Sequence, residues 1–158
     1  MNLRTMVGAF LSYKEEMLLI HRGTHKEIAP GMWSCIGGHM ESEELNNPLA
    51  ACYREILEET GIGRGQIEYL TLRYITTRNT GSEIRTGYYY YGETTHRCEL
   101  PKCDEGKLHW VRIMDMQEMP MSFSIKEISN HLVRNRTHDV IMLCGVNRTN
   151  NIITWVEL

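Results

Sequence analysis

The apolar and polar positions along the chain mark mostly strands. Residues 4–13 and 17–22 are two apolar runs around Lys14-Glu15-Glu16, the pattern of a hairpin. A polar loop containing Gly and Pro, residues 23–31, leads to the short apolar stretch Met32 to Ile36, which runs into Gly37-Gly38. Paired glycines after a strand mark a place where backbone closely approaches something. Asn47 to Thr60 predicts the clearest helix: Asn47 can cap it, Pro48 suits its first position, and Gly61 can end it in a left-handed conformation. Residues 66–78 and 84–94 predict a long hairpin joined by the turn Asn79-Thr80-Gly81-Ser82. Leu108 to Ile113 predicts another strand and Ser124 to Arg136 a second helix; Val140 to Val146 with Ile152 to Glu157 predicts a terminal hairpin around Asn147-Arg148-Thr149-Asn150. Strands dominate and no internal repeat occurs, so the expected fold is α/β (α+β), a mixed β-sheet sandwiched between helices.

Length and charge narrow the partners. A chain of 158 residues fits one domain spanning 1–158, and a net charge of -3 gives no broad basic surface for a nucleic-acid polymer. No apolar run approaches the roughly 20 residues that cross a bilayer, and the first residues lack a signal-peptide core, so a cytoplasmic protein without membrane association is expected. Five cysteines form an odd, sparse set that reads as free thiols in a reducing compartment, which also empties the glycosylation triplets at Asn135 and Asn147 of meaning. Cys98 and Cys103 flank Pro101 with His96 and His109 near, but their spacing is not a zinc pattern and they read as loop thiols.

On a helical wheel Leu49, Tyr53, Ile56 and Thr60 fall on one stripe, and Glu55, Glu58 and Glu59 on another. Two such glutamates are ordinary solvated surface. Carboxylates at i, i+3 and i+4 repel by roughly 0.2 to 0.5 kcal/mol per pair. No lysine sits among them, so a cation is expected to offset them, and a hard divalent ion suits a few carboxylates with water and phosphate completing its shell. Arg54 is placed either to steady Glu58 or to reach back to Glu44 as an orienting ion pair.

Gly37-Gly38-His39-Met40-Glu41-Ser42-Glu43-Glu44 followed by Arg54-Glu55-Ile56-Leu57-Glu58-Glu59-Thr60-Gly61-Ile62 closely resembles the signature of the Nudix (MutT-like) hydrolases. Gly38 and Glu44 have the family's separation, and the second half matches at every fixed position. The departure lies between them: nine residues, Leu45 to Tyr53, stand where the family has seven, the extra two falling at Leu45-Asn46-Asn47-Pro48. Loop lengthening there is cheap. The resemblance implies a Nudix-type α-β-α sandwich with a catalytic loop-helix-loop. It implies a magnesium cofactor, with manganese an acceptable substitute, held by Glu58, Glu59, the Gly38 carbonyl and Glu55. Glu55 remains open as a ligand or as the base. Cys103 to Trp110 resembles the family's distant loop that sometimes supplies the base, which nominates Glu105 as accessory ligand or base.

Arg22, at the end of a strand, is a candidate phosphate contact, with the close-approach glycines Gly37 and Gly38 beside it. In the run Tyr88 to Tyr91 two rings point each way, so one pair, Tyr88 and Tyr90, is a candidate for a nucleobase pocket. Trp33, Trp110 and Phe123 carry the same ambiguity between pocket and core. The tags of NADH-, ADP-ribose- and coenzyme A-cleaving relatives are missing, which leaves a nucleoside triphosphate by elimination. The resemblance to small MutT-like enzymes implies a housecleaning role toward oxidised nucleotides such as 8-oxo-dGTP. Hydrolysis of ADP-ribose, a nucleotide sugar or a dinucleotide polyphosphate is the alternative within enzymes, and a non-catalytic nucleotide sensor the alternative outside them. Oligomeric state is open between monomer and homodimer, the long strands between Gln66 and Thr94 offering an edge.

Overall fold

In the computed structural model, which describes residues 1–27, 29–146 and 152–158, Lys14 turns the chain at a φ of 52° between β1 (Asn2–Tyr13) and β2 (Glu16–Arg22). These two strands pair only beside their turn, from Leu11↔Leu18 to Tyr13↔Glu16, and then diverge. The next strands fill the split. β3 (Trp33–Ser34) pairs with β2, and one residue later β4 (Ile36–His39) pairs with β1. The apolar stretch expected to end at the two glycines is therefore broken at Cys35, where the chain leaves one strand for another, and the glycines lie inside β4.

The helix α1 (Pro48–Thr60) has the ends its sequence predicts. The Asn47 side chain accepts the Ala50 N–H, Pro48 is its first residue, and Gly61 closes it at a φ of 71°. Its buried face is Ala51, Cys52, Ile56 and Thr60, with Leu49 and Tyr53 half-buried at the margin of the expected stripe. The long hairpin also forms as expected, β5 (Ile67–Asn79) against β6 (Glu83–Thr94), with register shifts after Ile67 and after Leu72. β7 (Gly106–Arg112) pairs along the whole of β2, and α2 (Phe123–Arg134) follows. β8 (Met142–Val146) and β9 (Ile153–Glu157) close the sheet edge; the turn expected between them lies outside the described residues.

Among the described residues the strands form one nine-stranded mixed sheet in the order β3-β2-β1-β6-β5-β8-β9, with β4 on β1 and β7 on β2. The parallel pairs are β1 with β6 and β5 with β8. Alternation along the strands divides the core. Ala9, Leu11, Leu18 and Ile20 pack against Ile56 of α1, whereas Phe10, Met17 and Leu19 pack against Ile128 and Leu132 of α2. The architecture is thus the expected sandwich of a mixed sheet between helices. No helix among the described residues is long and apolar enough to cross a membrane. All five cysteines are free thiols, and Asn135 caps the end of α2 while Asn147 lies outside the described residues.

A Cβ on Gly61 would meet nothing within 4 Å, so only backbone strain opposes a side chain there. Gly61→Ala is expected to lower stability by about 1 kcal/mol and Gly61→Asn by less. Urea denaturation midpoints read the difference; an alanine variant as stable as the parent would show that the left-handed turn does not end this helix.

Candidate active site

The site is assembled where β4 passes β1. A Cβ on Gly37 would lie 2.1 Å from the Val7 carbonyl oxygen, and one on Gly38 would lie 2.7 Å from the Glu55 carboxylate. At position 37 the obstacle is backbone and only glycine fits; at position 38 a side chain would push the Glu55 carboxylate aside. The two glycines let α1 sit against the strand with its acidic face over the Gly37-Gly38 backbone, and the Gly37 N–H donates to Glu59 Oε2 at 3.2 Å.

Arg54 organises the rest of the helix face. Its Nε and Nη2 donate to the two oxygens of Glu44 at 2.7 and 2.8 Å, a bidentate pair. Its Nη1 donates to Glu55 at 2.7 Å and Glu58 at 3.1 Å, and Nη2 also reaches the His39 carbonyl at 3.1 Å. Both roles left open by the sequence are therefore filled by one guanidinium. The Glu44 carboxyl, held by Arg54 and by the Glu41 N–H, is lowered to about 2. The two extra residues before the helix do not displace it, because Leu45, Asn46 and Asn47 bulge outward as exposed residues after a 3-10 turn at Ser42–Glu44.

Glu55, Glu59 and Glu105 share a cleft of about 420 Å³ with Arg22, Gly38 and Arg54. Glu105 stands just before β7, opposite the end of β2, and faces Arg22 at 3.7 Å and Lys26 at 3.4 Å. Glu58 does not border the cleft; its side chain is 57% exposed and leans on Arg54. Burial raises the Glu59 carboxyl to about 8, against the Gly37 N–H that lowers it, and the charges of Glu55 and Glu105 push the same way as burial. Burial also raises Glu55, with Arg54 opposing.

These raised carboxyls test whether the residues suit a cation. Among the described residues no three acidic, His or Cys side chains converge tightly on one point, since Glu55 is turned to Arg54 and Glu59 to the Gly37 N–H. What the cleft offers is partly buried carboxylate in excess of positive charge, open to solvent. Magnesium, which takes few carboxylates and keeps its waters, fits such a donor set better than a closed protein cage would. The Cys98–His96 contact, 3.6 Å from Sγ to Nε2, gains no further ligand of the zinc-binding kind among the described residues.

The aromatic expectations divide by strand parity. Tyr88 and Tyr90, expected at a base pocket, pack into the core beneath α1. The other pair, on the face toward α2, borders cavities: Tyr91 one beside Tyr69 and Arg73, and Tyr89 the one next to the cleft. That cavity, of about 200 Å³, adjoins the cleft through Met6, Arg22 and Gly37 and is also bordered by Arg78 and Arg85, which sequence reasoning missed. They face each other because the turn closes over residues 80–83, one residue later than the Asn79 to Ser82 turn expected from the sequence. Trp33 stacks on His21 with centroids 4.6 Å apart, Trp110 donates to the Cys98 carbonyl at 2.9 Å, and Phe123 is half-buried at the head of α2.

A family profile described as the NUDIX domain matches residues 2–134. No curated protein sequence matches the chain. Among solved structures, the MutT protein from Bacillus halodurans superposes with a TM-score of 0.73 at 21% identity, over 98% of this chain and 97% of that one. The MutT protein from Methanosarcina mazei Go1 gives 0.68 at 18% identity, over 87% and 97%. The NUDIX domain of Shewanella oneidensis NrtR, complexed with ADP ribose, gives 0.66 at 16%, over 86% and 88%. At these identities the structural likeness is one of fold.

The buried Glu59 ties stability to pH. Between the ordinary carboxyl value of 4.5 and about 8, the folded chain keeps a proton on Glu59 that the unfolded chain has released. That contribution is fully present below 4.5 and is lost as pH rises toward about 8, so metal-free protein should lose stability across this window. Thermal unfolding in chelator at several pH values measures the slope, and Glu59→Gln should flatten it. A variant with the parent's slope would assign the effect elsewhere.

Proposed function

The chain belongs to the Nudix family of pyrophosphohydrolases, and on that footing we propose that it is a magnesium-dependent hydrolase of the phosphoanhydride in a nucleoside diphosphate linked to another group. Its preferred substrate on this reading is a nucleoside triphosphate, including oxidised purine nucleotides of the 8-oxo-dGTP kind, released as monophosphate and pyrophosphate. The observation that carries the reading is the shared cleft of Glu55, Glu59 and Glu105 beside Arg22, with a second cavity adjoining it. The free thiols agree with a cytoplasmic protein.

Magnesium, or manganese in its place, supplies charge against the phosphate oxygens and acidifies the attacking water when bound. Glu55, Glu59 and the Gly38 carbonyl are the groups proposed to hold it. Glu58 stands at the solvent edge as a further donor. Arg54 keeps Glu55 oriented through its 2.7 Å bond and spends the rest of its donors on Glu44 and the His39 carbonyl. Arg22 meets the phosphate, and Glu105, which it shares with Lys26, steadies that guanidinium. Of the cleft carboxylates Glu105 is more open to water than Glu55, 42% against 12% of the side chain, and is the proposed acceptor of the water proton. The water oxygen forms the new bond to phosphorus while the bridging oxygen leaves with its phosphate, so little covalent participation is asked of the protein.

A panel of nucleoside triphosphates, ADP-ribose, nucleotide sugars and dinucleotide polyphosphates assayed with magnesium, both products resolved, tests this. Triphosphates should be split to monophosphate and pyrophosphate, and Glu59→Gln should lower kcat by about 100-fold or more, since even groups that support a metal ligand cost about 10- to 100-fold, with the fold retained. Turnover of ADP-ribose alone would move the substrate class, and no turnover of any member would leave a nucleotide sensor. Parent-like rates in Glu59→Gln would show that other carboxylates carry the reaction.

A further inference from the structure

The family profile ends at residue 134, and the hairpin β8–β9 lies beyond it. β6 lies between β1 and β5, and β5 is flanked by β6 and, over Tyr74 to Arg78, by β8, so the edge expected between Gln66 and Thr94 is largely closed. The sheet ends instead at β9, whose second side pairs with no strand among the described residues. Its sequence, Ile153-Thr154-Trp155-Val156-Glu157, has no lysine or proline, the residues that commonly blunt an edge. The other ends of the sheet differ. β3 is bridged by Met121, and β7 carries Lys107, His109 and Arg112.

Which groups face outward from β9 follows from the ladder. The Leu158 N–H donates to the Ile141 carbonyl at 2.9 Å, so these two form a hydrogen-bonded pair. Bonded and unbonded pairs alternate along antiparallel strands, which makes Cys144 opposite Trp155 an unbonded pair. The N–H and C=O groups of Ile153, Trp155 and Glu157 therefore point away from β8. Side chains alternate as well. Trp155 turns toward α2 and stacks on His131 with centroids 4.9 Å apart. Leu143 and Val156, 37% and 50% exposed, stand on the opposite face, where no residue of β8 or β9 joins the core beneath α1.

Such an edge is satisfied by an extended strand, and a second copy of β9 matches it by symmetry. Laid antiparallel about a two-fold axis at Trp155, every residue of β9 finds a partner: Trp155 meets its own copy, Ile153 meets Glu157, and Thr154 meets Val156. The outward donors and acceptors then bond in register, and the two tryptophans form a cross-strand aromatic pair. Glu157 does not oppose its copy; at ~3.3 Å per residue the two carboxylates lie about 13 Å apart, beyond the ~8 Å screening length at physiological salt. On the uncovered face the Leu143–Val156 patches of the two copies join across Thr154. We propose that β9 is the edge through which two copies of this chain associate, as a two-fold dimer with one continuous sheet. This surface stands apart from the reaction read from the cleft.

Sedimentation equilibrium of the full chain from ~1 to ~100 µM tests this, since interfaces of modest area reach micromolar affinity. The mass should rise to twice that of the chain. Thr154→Lys/Val156→Lys sets lysine against lysine in this register and should leave a monomer, whereas Thr154→Lys/Val156→Glu sets lysine against glutamate and should dimerise at least as well as the parent. If the double-lysine variant does not fold, the parent decides. Its amide exchange, followed by NMR, should slow at Ile153, Trp155 and Glu157 as concentration rises and stay unchanged at Thr154 and Val156, whose N–H groups already face β8. A parent that is monomeric throughout, a dimer that survives in the folded double-lysine variant, or a folded lysine–glutamate variant that is monomeric overturns the proposal. Exchange at those three residues that ignores concentration also overturns it, as do assemblies larger than a dimer, because the two-fold pairing uses the free side of both strands.

Discussion

The passage of Gly37 against β1 is the constraint on which the arrangement turns. β1 and β2 separate after their turn, and the split is filled by a segment that changes partner at Cys35. That segment fits only because position 37 carries no side chain between itself and the Val7 carbonyl. Once it is seated, the backbone of Gly37 and Gly38 faces the acidic side of α1, and the N–H of Gly37 takes hold of Glu59. Sheet pairing, which holds all four residues of β4 in register with β1, thereby sets the position of a carboxylate. The helix is held to the sheet by Ile56 and Ala51, which pack with Ile36 of this strand, and by the Gly37 N–H on Glu59.

Charge is distributed unevenly over that face. Arg54 serves Glu44, Glu55 and Glu58 together, and its strongest geometry goes to Glu44, which lies outside the helix. Glu59 receives no arginine of its own helix; its partners are a backbone N–H and the more distant charge of Arg22. Burial then opposes its ionisation. A buried carboxylate with so little local compensation is costly for the fold and is retained where a cation or a reacting proton makes use of it.

Much of this was legible in the chain. The helix ends at Asn47, Pro48 and Gly61, and the hairpin of residues 66 to 94, followed from local rules of capping and turn chemistry, which need only neighbours in sequence. The glutamate spacing and the Arg54 partners followed from helical geometry in the same way. What did not follow was long-range. Alternation put two rings of Tyr88 to Tyr91 on each face, but which pair meets a cavity depends on the parallel partnership of β6 with β1, which leaves no local mark. The break at Cys35 and the registry of Arg4, Arg85 and Arg78 belong to the same class, since they arise from strands distant in sequence.

The outward bulge at Leu45 to Asn47 bears on how such sites vary. Glu44 is fixed by the Glu41 N–H before the bulge and by Arg54 after it, so the exposed residues between can change in number while the contact across them is kept. Spacing between Glu44 and Arg54 is therefore a loosely governed quantity, while the contact between them is a tight one. A search that insists on a fixed interval would discard this chain although its ion pair is intact. Length tolerance at that single hinge also offers a place where an insert, a tag or a reporter peptide would sit beside the Glu44–Arg54 pair with its anchoring undisturbed.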